Sequence, residues 1–283
     1  MRCREFRPFF LTIAFLSSIL ILYLPVFVWM VSSWMTNPYY SHGFFIPFIS
    51  GFLIWRIAVS GKDAFKPYFN LTGLILLIIG LFIYIGGYFY ASFWICALSL
   101  IPFLQGILIQ FFGWKNSLQF LFPVLFFIFM IPVPFIDFLS TYFAAFSAYW
   151  ASFLIQICGI PVTISGAEIF ISDSSFRIGL PCSGLKTLIS LLIPSTLLIF
   201  LYDCNIRDKI LLFILIFPLA FVTNVARIFF LVIYFQVYGP DLGLNTVHDI
   251  LGIMMPVLVF IGILALAHLI GCSSIKKGII PPR

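Results

Sequence analysis

A thiol, a guanidinium and an imidazole are the side chains of this sequence whose chemistry most needs explaining. Cys182 stands in the run Pro181-Cys182-Ser183-Gly184-Leu185-Lys186, directly after the most polar stretch of an otherwise apolar chain. Arg227 lies inside the run Phe221-Val222-Thr223-Asn224-Val225-Ala226-Arg227-Ile228-Phe229-Phe230, and His248 heads the last apolar segment. A thiol becomes a competent nucleophile when a cation or an imidazole favours its thiolate. An imidazole near neutral pH can take and return the proton. A guanidinium keeps its charge and suits a substrate carbonyl or a developing oxyanion. Together they would make an acyl-transfer site. Asn224 and Thr223, three and four residues before Arg227, share its helical face and could orient it. Gly184 permits close backbone approach beside the thiol, and a helix starting just after Cys182 would offer unpaired N–H groups that favour a thiolate.

The elements that must position these residues are membrane helices. The chain of 283 residues is 63% hydrophobic and only 8% charged, with a mean hydropathy of +1.19. A soluble domain carries roughly a quarter charged residues, so the chain is expected to be a polytopic all-α membrane protein in contact with the lipid bilayer. The net charge of +6 then concerns loop placement and gives no reason to expect nucleic acid. No CxxC pair and no closely spaced histidines occur, so neither a metal site nor a cofactor is expected. The arginines Arg2, Arg4 and Arg7 precede an apolar run of 9–31, too long for a signal peptide core and lacking a clear cleavage site, which reads as an uncleaved first helix.

A spanning helix needs about 20 mostly apolar residues. Eight segments qualify or nearly so: 9–31, 43–57, 71–90, 93–112, 120–136, 183–202, 210–235 and 250–270. With the first arginines inside, eight spans place 12 of the 15 basic residues inside, leaving Arg177, Lys186 and Arg227. Counting 138–158 as a ninth span would move Arg207, Lys209 and the lysine-bearing C-terminus outside. The positive-inside rule therefore predicts eight spans in a cell (inner) membrane, with 138–158 lying along the outer interface. Its Ser140, Thr141, Ser147, Ser152 and Gln156 would mark the polar side. The expectation is one membrane domain over 1–283, with 1–8 and 271–283 cytoplasmic and 137–181 an outer excursion. Within that excursion, alternation over 167–172 and 176–180 around Asp173-Ser174-Ser175 reads as a small β-hairpin before the cysteine.

This threading puts all three residues in the outer half of the bilayer. Cys182 opens the sixth span, His248 opens the eighth, and Arg227 sits eight residues before Phe235, about 12 Å deep at the helical rise. Each residue also has a plainer reading. Cys182 could pair with Cys158, Arg227 could be a structural partner of Asp137, Asp241 or Asp249, and His248 could be an interfacial cap. As whole-protein alternatives stand a transporter of a polysaccharide precursor or lipid-linked anion, with Arg227 on the head group, and a non-catalytic membrane assembly protein.

At these residues the chain resembles the exosortase/archaeosortase family of membrane-embedded transpeptidase-like enzymes. The first block is Asn37-Pro38-Tyr39-Tyr40-Ser41-His42-Gly43-Phe44 with Ile46-Pro47, similar to that family's Tyr-Ser-His-Gly segment. The second is Pro181-Cys182-Ser183-Gly184-Leu185, which looks like its Cys-Ser-Gly motif. The third is Asn224-Val225-Ala226-Arg227, followed by His248 where bacterial members carry a histidine. The resemblance implies Cys182 as nucleophile of a thiol protease or transpeptidase, Arg227 as carbonyl or oxyanion stabiliser and His248 as acid/base. Ser183, Gly184 and Asn224 would be supporting residues. It implies exported protein substrates that end in a recognition motif, a transmembrane helix and a basic cluster, cut at the outer face through a thioester. Lys186 stands where many members have arginine, and Leu180-Pro181 where several subfamilies have an acidic residue. His42 would line the substrate entry or, with Tyr40 and Ser41, cap the second span.

Overall fold

In lipid a backbone has only itself to hydrogen-bond, so long apolar runs fold as helices. The computed structural model describes residues 3–60, 69–171, 174–177, 183–239, 244–272 and 274–275. Cys182, Asp173, Asp241 and the C-terminal lysines lie outside the described residues. The chain divides into two compact units, Met1–Val133 and Pro134–Arg283.

The first unit contains α1 (Cys3–Thr36), a 3-10 turn at Ser41–Phe44, α2 (Ile46–Ser60), α3 (Leu71–Phe89), α4 (Phe93–Leu98), α5 (Leu100–Ser117) and α6 (Leu121–Phe126). Helix α3 packs on α4 and α5 through glycines seven residues apart. A Cβ on Gly73 would come within 3.0 Å of Ile109, one on Gly80 within 3.0 Å of Phe103, and one on Gly87 within 2.7 Å of the Cys96 nitrogen. Small residues at such spacing let helix backbones approach closely where lipid supplies no hydrophobic drive.

The expected boundaries shift in this unit. Residues Phe93–Met130 form one apolar helical run of 38 residues, broken in direction at Gly113, whose φ of 76° only glycine adopts readily. The span expected over 120–136 stops at Met130, ahead of Pro132 and Pro134, because proline lacks the N–H a helix needs and restrains the residue before it.

The second unit holds α7 (Ile136–Ile157), strands β1 (Val162–Ser165), β2 (Glu168–Ile171) and β3 (Ser174–Arg177), then α8 (Leu185–Leu201), α9 (Ile206–Tyr238) and α10 (Leu244–Leu269). The expected hairpin is the antiparallel β2–β3 pair, with Ile169 opposite Phe176. It is the second half of a three-stranded meander, since β1 pairs with β2 with Thr163 opposite Phe170. Ser174 and Ser175 belong to β3, not to the turn.

Helix α9 is the hub of this unit. In one core, its Val225, Ile228 and Val232 meet Ala144, Ala148, Ala151 and Ile155 of α7 and Val162, Ile169 and Ile171 of the sheet. In a second core, its Leu212, Ile216 and Ala220 meet Leu191 and Ile199 of α8, Ile263 and Ala267 of α10, and Cys272. The i, i+4, i+7, i+11 spacing of 144, 148, 151 and 155 is one helical face. Its alanines let α9 and the sheet sit close. Cys204 and Cys272 form a disulfide with Cα atoms 5.2 Å apart. Beside it the Asp203 N–H donates to the Ser274 carbonyl at 2.8 Å. Cys158 is exposed and unbridged among the described residues; the alternative Cys158–Cys182 bridge involves a residue outside them.

Among the described residues, six helices are long and apolar enough to cross a membrane, and apolar stretches at Ile21–Thr36 and Leu185–Leu201 are shorter. One of the six is Ile136–Ile157, the segment expected along the interface. Many large apolar side chains face outward, Phe48 at 78%, Phe82 at 70% and Ile253 at 72% exposure among them. Water does not tolerate so extensive an apolar surface on a monomer, whereas lipid does. The molecule is a mostly helical, multi-pass membrane protein.

Candidate active site

Helix α8 begins at Leu185, three residues after Cys182, with Gly184 as its cap at φ 90°, ψ −18°. A left-handed residue is needed there and glycine supplies it without cost. Space makes the same demand. A Cβ on Gly184 would stand 2.8 Å from the Asn224 side-chain nitrogen and 3.0 Å from its Cγ. Asn224 is fully buried on α9. Its Nδ2 donates to Ser147 Oγ at 3.1 Å, and the Ser147 hydroxyl donates to the Ser183 carbonyl at 3.4 Å. The Leu185 N–H donates to Ser183 Oγ at 3.3 Å. This relay ties α9, through α7, to the residue that follows Cys182. The thiol itself lies outside the described residues.

Arg227 is one turn further along α9 and only 5% exposed. Its Nη2 lies 2.9 Å from His248 Nε2 and donates to the His248 carbonyl at 3.4 Å. A guanidinium has no acceptor, so the imidazole must receive this bond at an unprotonated Nε2. The ring proton then sits on Nδ1, which donates to Asp249 Oδ1 at 3.1 Å. The tautomer thus follows from the donor inventory. Gly252, one turn after His248, completes the contact: a Cβ there would be 3.1 Å from Arg227 Nη2.

Of the residues marked from sequence, Arg227 and His248 meet directly, while Ser183, Gly184 and Asn224 form a second contact group on the same α8–α9 pairing. Thr223 does not orient the guanidinium, because its hydroxyl donates to the Leu219 carbonyl of its own helix at 2.6 Å. Asp249 pairs with His248 and not with Arg227. His42 belongs to the first unit, where its Nε2 lies 2.9 Å from the Phe129 carbonyl. Around it, Trp34 Nε1 donates to the Met130 carbonyl at 2.7 Å and the Val133 N–H donates to the Tyr40 hydroxyl at 2.9 Å. The Tyr-Ser-His-Gly block therefore grips the end of its own unit.

Ser147, Asp249 and Gly252 were missed as site residues. Ser147 was visible as a serine on the polar side of its helix, and Gly252 as a glycine one turn from His248, but neither pattern names a partner across helices.

Two cavities flank the start of α8. One, of about 600 Å³, is bounded by α7, α8 and α9, with Tyr142, Phe146, Leu188 and Phe221 in its apolar wall and Ser147, Gly184 and Asn224 at its polar edge. The other, of about 520 Å³, lies among α8, α9 and α10 and is lined by Lys186, Thr187, Ser190, Arg227, His248 and Asp249, with Gly252 at its wall.

The transmembrane exosortase family model matches residues 34–266, a range that carries all three motif blocks. Neither a curated protein nor a solved structure matches the chain. The match spans most of the sequence, and the chain belongs to the transmembrane exosortase family.

Proposed function

We propose that this membrane protein is a thiol transpeptidase or protease that removes the C-terminal sorting signals of exported proteins at the outer face of the membrane. The observation that carries the reading is the Arg227–His248 contact at 2.9 Å, in a cavity walled by the first turn of the helix that starts three residues after Cys182. Family membership supports the same reaction class.

The substrate carbonyl oxygen draws the Arg227 guanidinium, which thereby gives up His248 Nε2. The freed lone pair takes the Cys182 thiol proton as the sulfur attacks the scissile carbonyl carbon. Arg227 then holds the oxyanion that forms, a partnership worth more in a dry site than in water. The imidazolium passes the proton to the leaving amine as the C–N bond breaks. Asp249 on Nδ1 keeps the ring in the tautomer this cycle needs. A thioester on Cys182 results. An acceptor hydroxyl, amine or water then attacks it, giving its proton to His248 and releasing the thiol. The apolar cavity beside Gly184 and Asn224 suits the uncharged part of the substrate's tail.

The test is mass spectrometry of the C-termini of exported proteins with hydrophobic, basic tails, in the native host, comparing wild type with Cys182→Ala. Retained tails in a variant that accumulates normally are expected. Tails still removed at the wild-type rate would end the transpeptidase reading and return the transporter and assembly alternatives to first place.

A further inference from the structure

We propose that the cavity among α8, α9 and α10 is an anion-binding subsite in which Lys186 and Arg227 receive a carboxylate or phosphate group. Its purpose in acyl transfer rests on the function proposed above, but the binding does not.

The cavity is lopsided in charge. Among the described residues that line it, two permanent cations, Lys186 and Arg227, stand against the carboxylate of Asp249, and that carboxylate is already engaged by His248 Nδ1 at 3.1 Å. Among the described residues neither cation has a carboxylate within ion-pair distance. Arg227 is nine-tenths buried, and among the described residues its Nε–H has no acceptor. An uncompensated guanidinium in a membrane interior is expensive and is kept for a reason. Arg227 lines the cavity, and a carboxylate or phosphate is the partner a guanidinium favours. Neutralising the buried charge is part of what such a ligand would gain.

Lys186 adds what a lone oxyanion hole does not need. It sits exposed in the first turn of α8, on the wall facing Arg227, with the hydroxyls of Thr187 and Ser190 beside it. That turn also carries the positive end of a 17-residue helix. Gly252 has no side chain to cover the guanidinium, and a methyl there would crowd Nη2 at 3.1 Å. A neutral ligand gains nothing from the second cation, and a basic one is repelled. The cavity therefore cannot house the basic end of a substrate tail, and it suits a partner that brings a negative group.

The experiment uses the full chain purified in a neutral detergent. Unfolding midpoints are followed by tryptophan fluorescence while inorganic phosphate or acetate replaces chloride at constant ionic strength. A ligand that binds only the native state raises the midpoint with saturable dependence on its concentration. The expected result is a saturable rise for wild type and for Cys182→Ala, at least a fivefold higher half-saturating concentration for Lys186→Gln, and a change under twofold for Lys186→Arg. Gly252→Ala should weaken the effect as well, which keeps the test decisive should Lys186→Gln fail to fold. No saturable rise with either anion, or equal titrations for wild type and Lys186→Gln, would overturn the subsite. Repeating the titration in bilayer discs separates the sources. Loss of the phosphate increment in phosphatidylglycerol but not in phosphatidylcholine assigns the anion to a lipid head group; an unchanged increment assigns it to a soluble or protein-borne group. If the anion binds while Cys182→Ala still trims tails, the subsite stands and the transpeptidase falls; the converse pair of results does the reverse.

Discussion

Gly184 is the residue on which most of the local geometry depends. Its φ of 90° lies where an L side chain is strained, at roughly 1–2 kcal/mol for a non-glycine residue. The missing Cβ also leaves room for the Asn224 amide at 2.8 Å. Gly184→Ala is therefore expected to destabilise the protein by at least about 1–2 kcal/mol. It should also cut tail processing by more than that loss explains, since it displaces the buried Asn224 beside the nucleophile segment. Thermal unfolding measured alongside C-terminal processing separates the two effects. Normal stability with normal processing would show that the close approach has no consequence. The cysteine, arginine and histidine were legible as residues because a cation and a nucleophile in an oily chain stand out. Asp249 stood out less, entering only as one of three alternative partners for Arg227, because adjacency in sequence does not show which neighbour a side chain turns toward.

At the scale of elements, α9 carries Asn224 and Arg227 one turn apart and reaches two different partners with them. Asn224 looks to α7 through Ser147, and Arg227 looks to α10 through His248. The alanine face of α7 permits this, because larger residues at Ala148 or Ala151 would push the helix away from α9. Ser147→Ala removes both the acceptor for Asn224 Nδ2 and the donor to the Ser183 carbonyl. In a buried site the loss is expected to be about 1–3 kcal/mol, read as a lowered denaturation midpoint, with processing reduced beyond it. A midpoint within a few tenths of a degree of wild type would show that the relay is not holding the α8 cap. From the sequence, the helix of Ser147 was assigned to the interface because charge counting needs an even number of spans. In the fold its small residues have a second use, close packing against α9 and the sheet.

At the scale of the molecule, the second unit is closed by the Cys204–Cys272 disulfide, which joins the α8–α9 turn to the end of α10 across 68 residues of sequence. A loop of that length implies roughly 4 kcal/mol from the restricted unfolded chain. Reductant, or Cys272→Ser, is expected to lower the unfolding midpoint of the purified, oxidised protein by several degrees. An unchanged midpoint would remove the bond from the account of stability. Under the threading expected from the charge pattern, this pair, beside Arg207 and Lys209, would face the cytoplasm, where thiols are kept reduced. Alkylation of intact cells before lysis is therefore expected to trap Cys204 and Cys272 as a dithiol. Recovery of an intact disulfide would instead argue that this end faces an oxidising compartment and that the threading is inverted.

The sequence alone determined the class of the protein, the position of most helices, the hairpin before the cysteine, and the motif blocks that place the chain in its family. These are local or compositional properties: hydropathy, period and the spacing of rare polar residues in apolar runs. Only the tertiary structure decided that Arg227 meets His248, that Asn224 reaches Ser183 through Ser147, that Gly252 bares the guanidinium, and that Cys204 pairs with Cys272. Each of these joins residues on different helices. Helical periodicity tells which face a residue is on, but which face it meets is set by how the helices pack, and packing depends on the volumes of all the side chains between them at once.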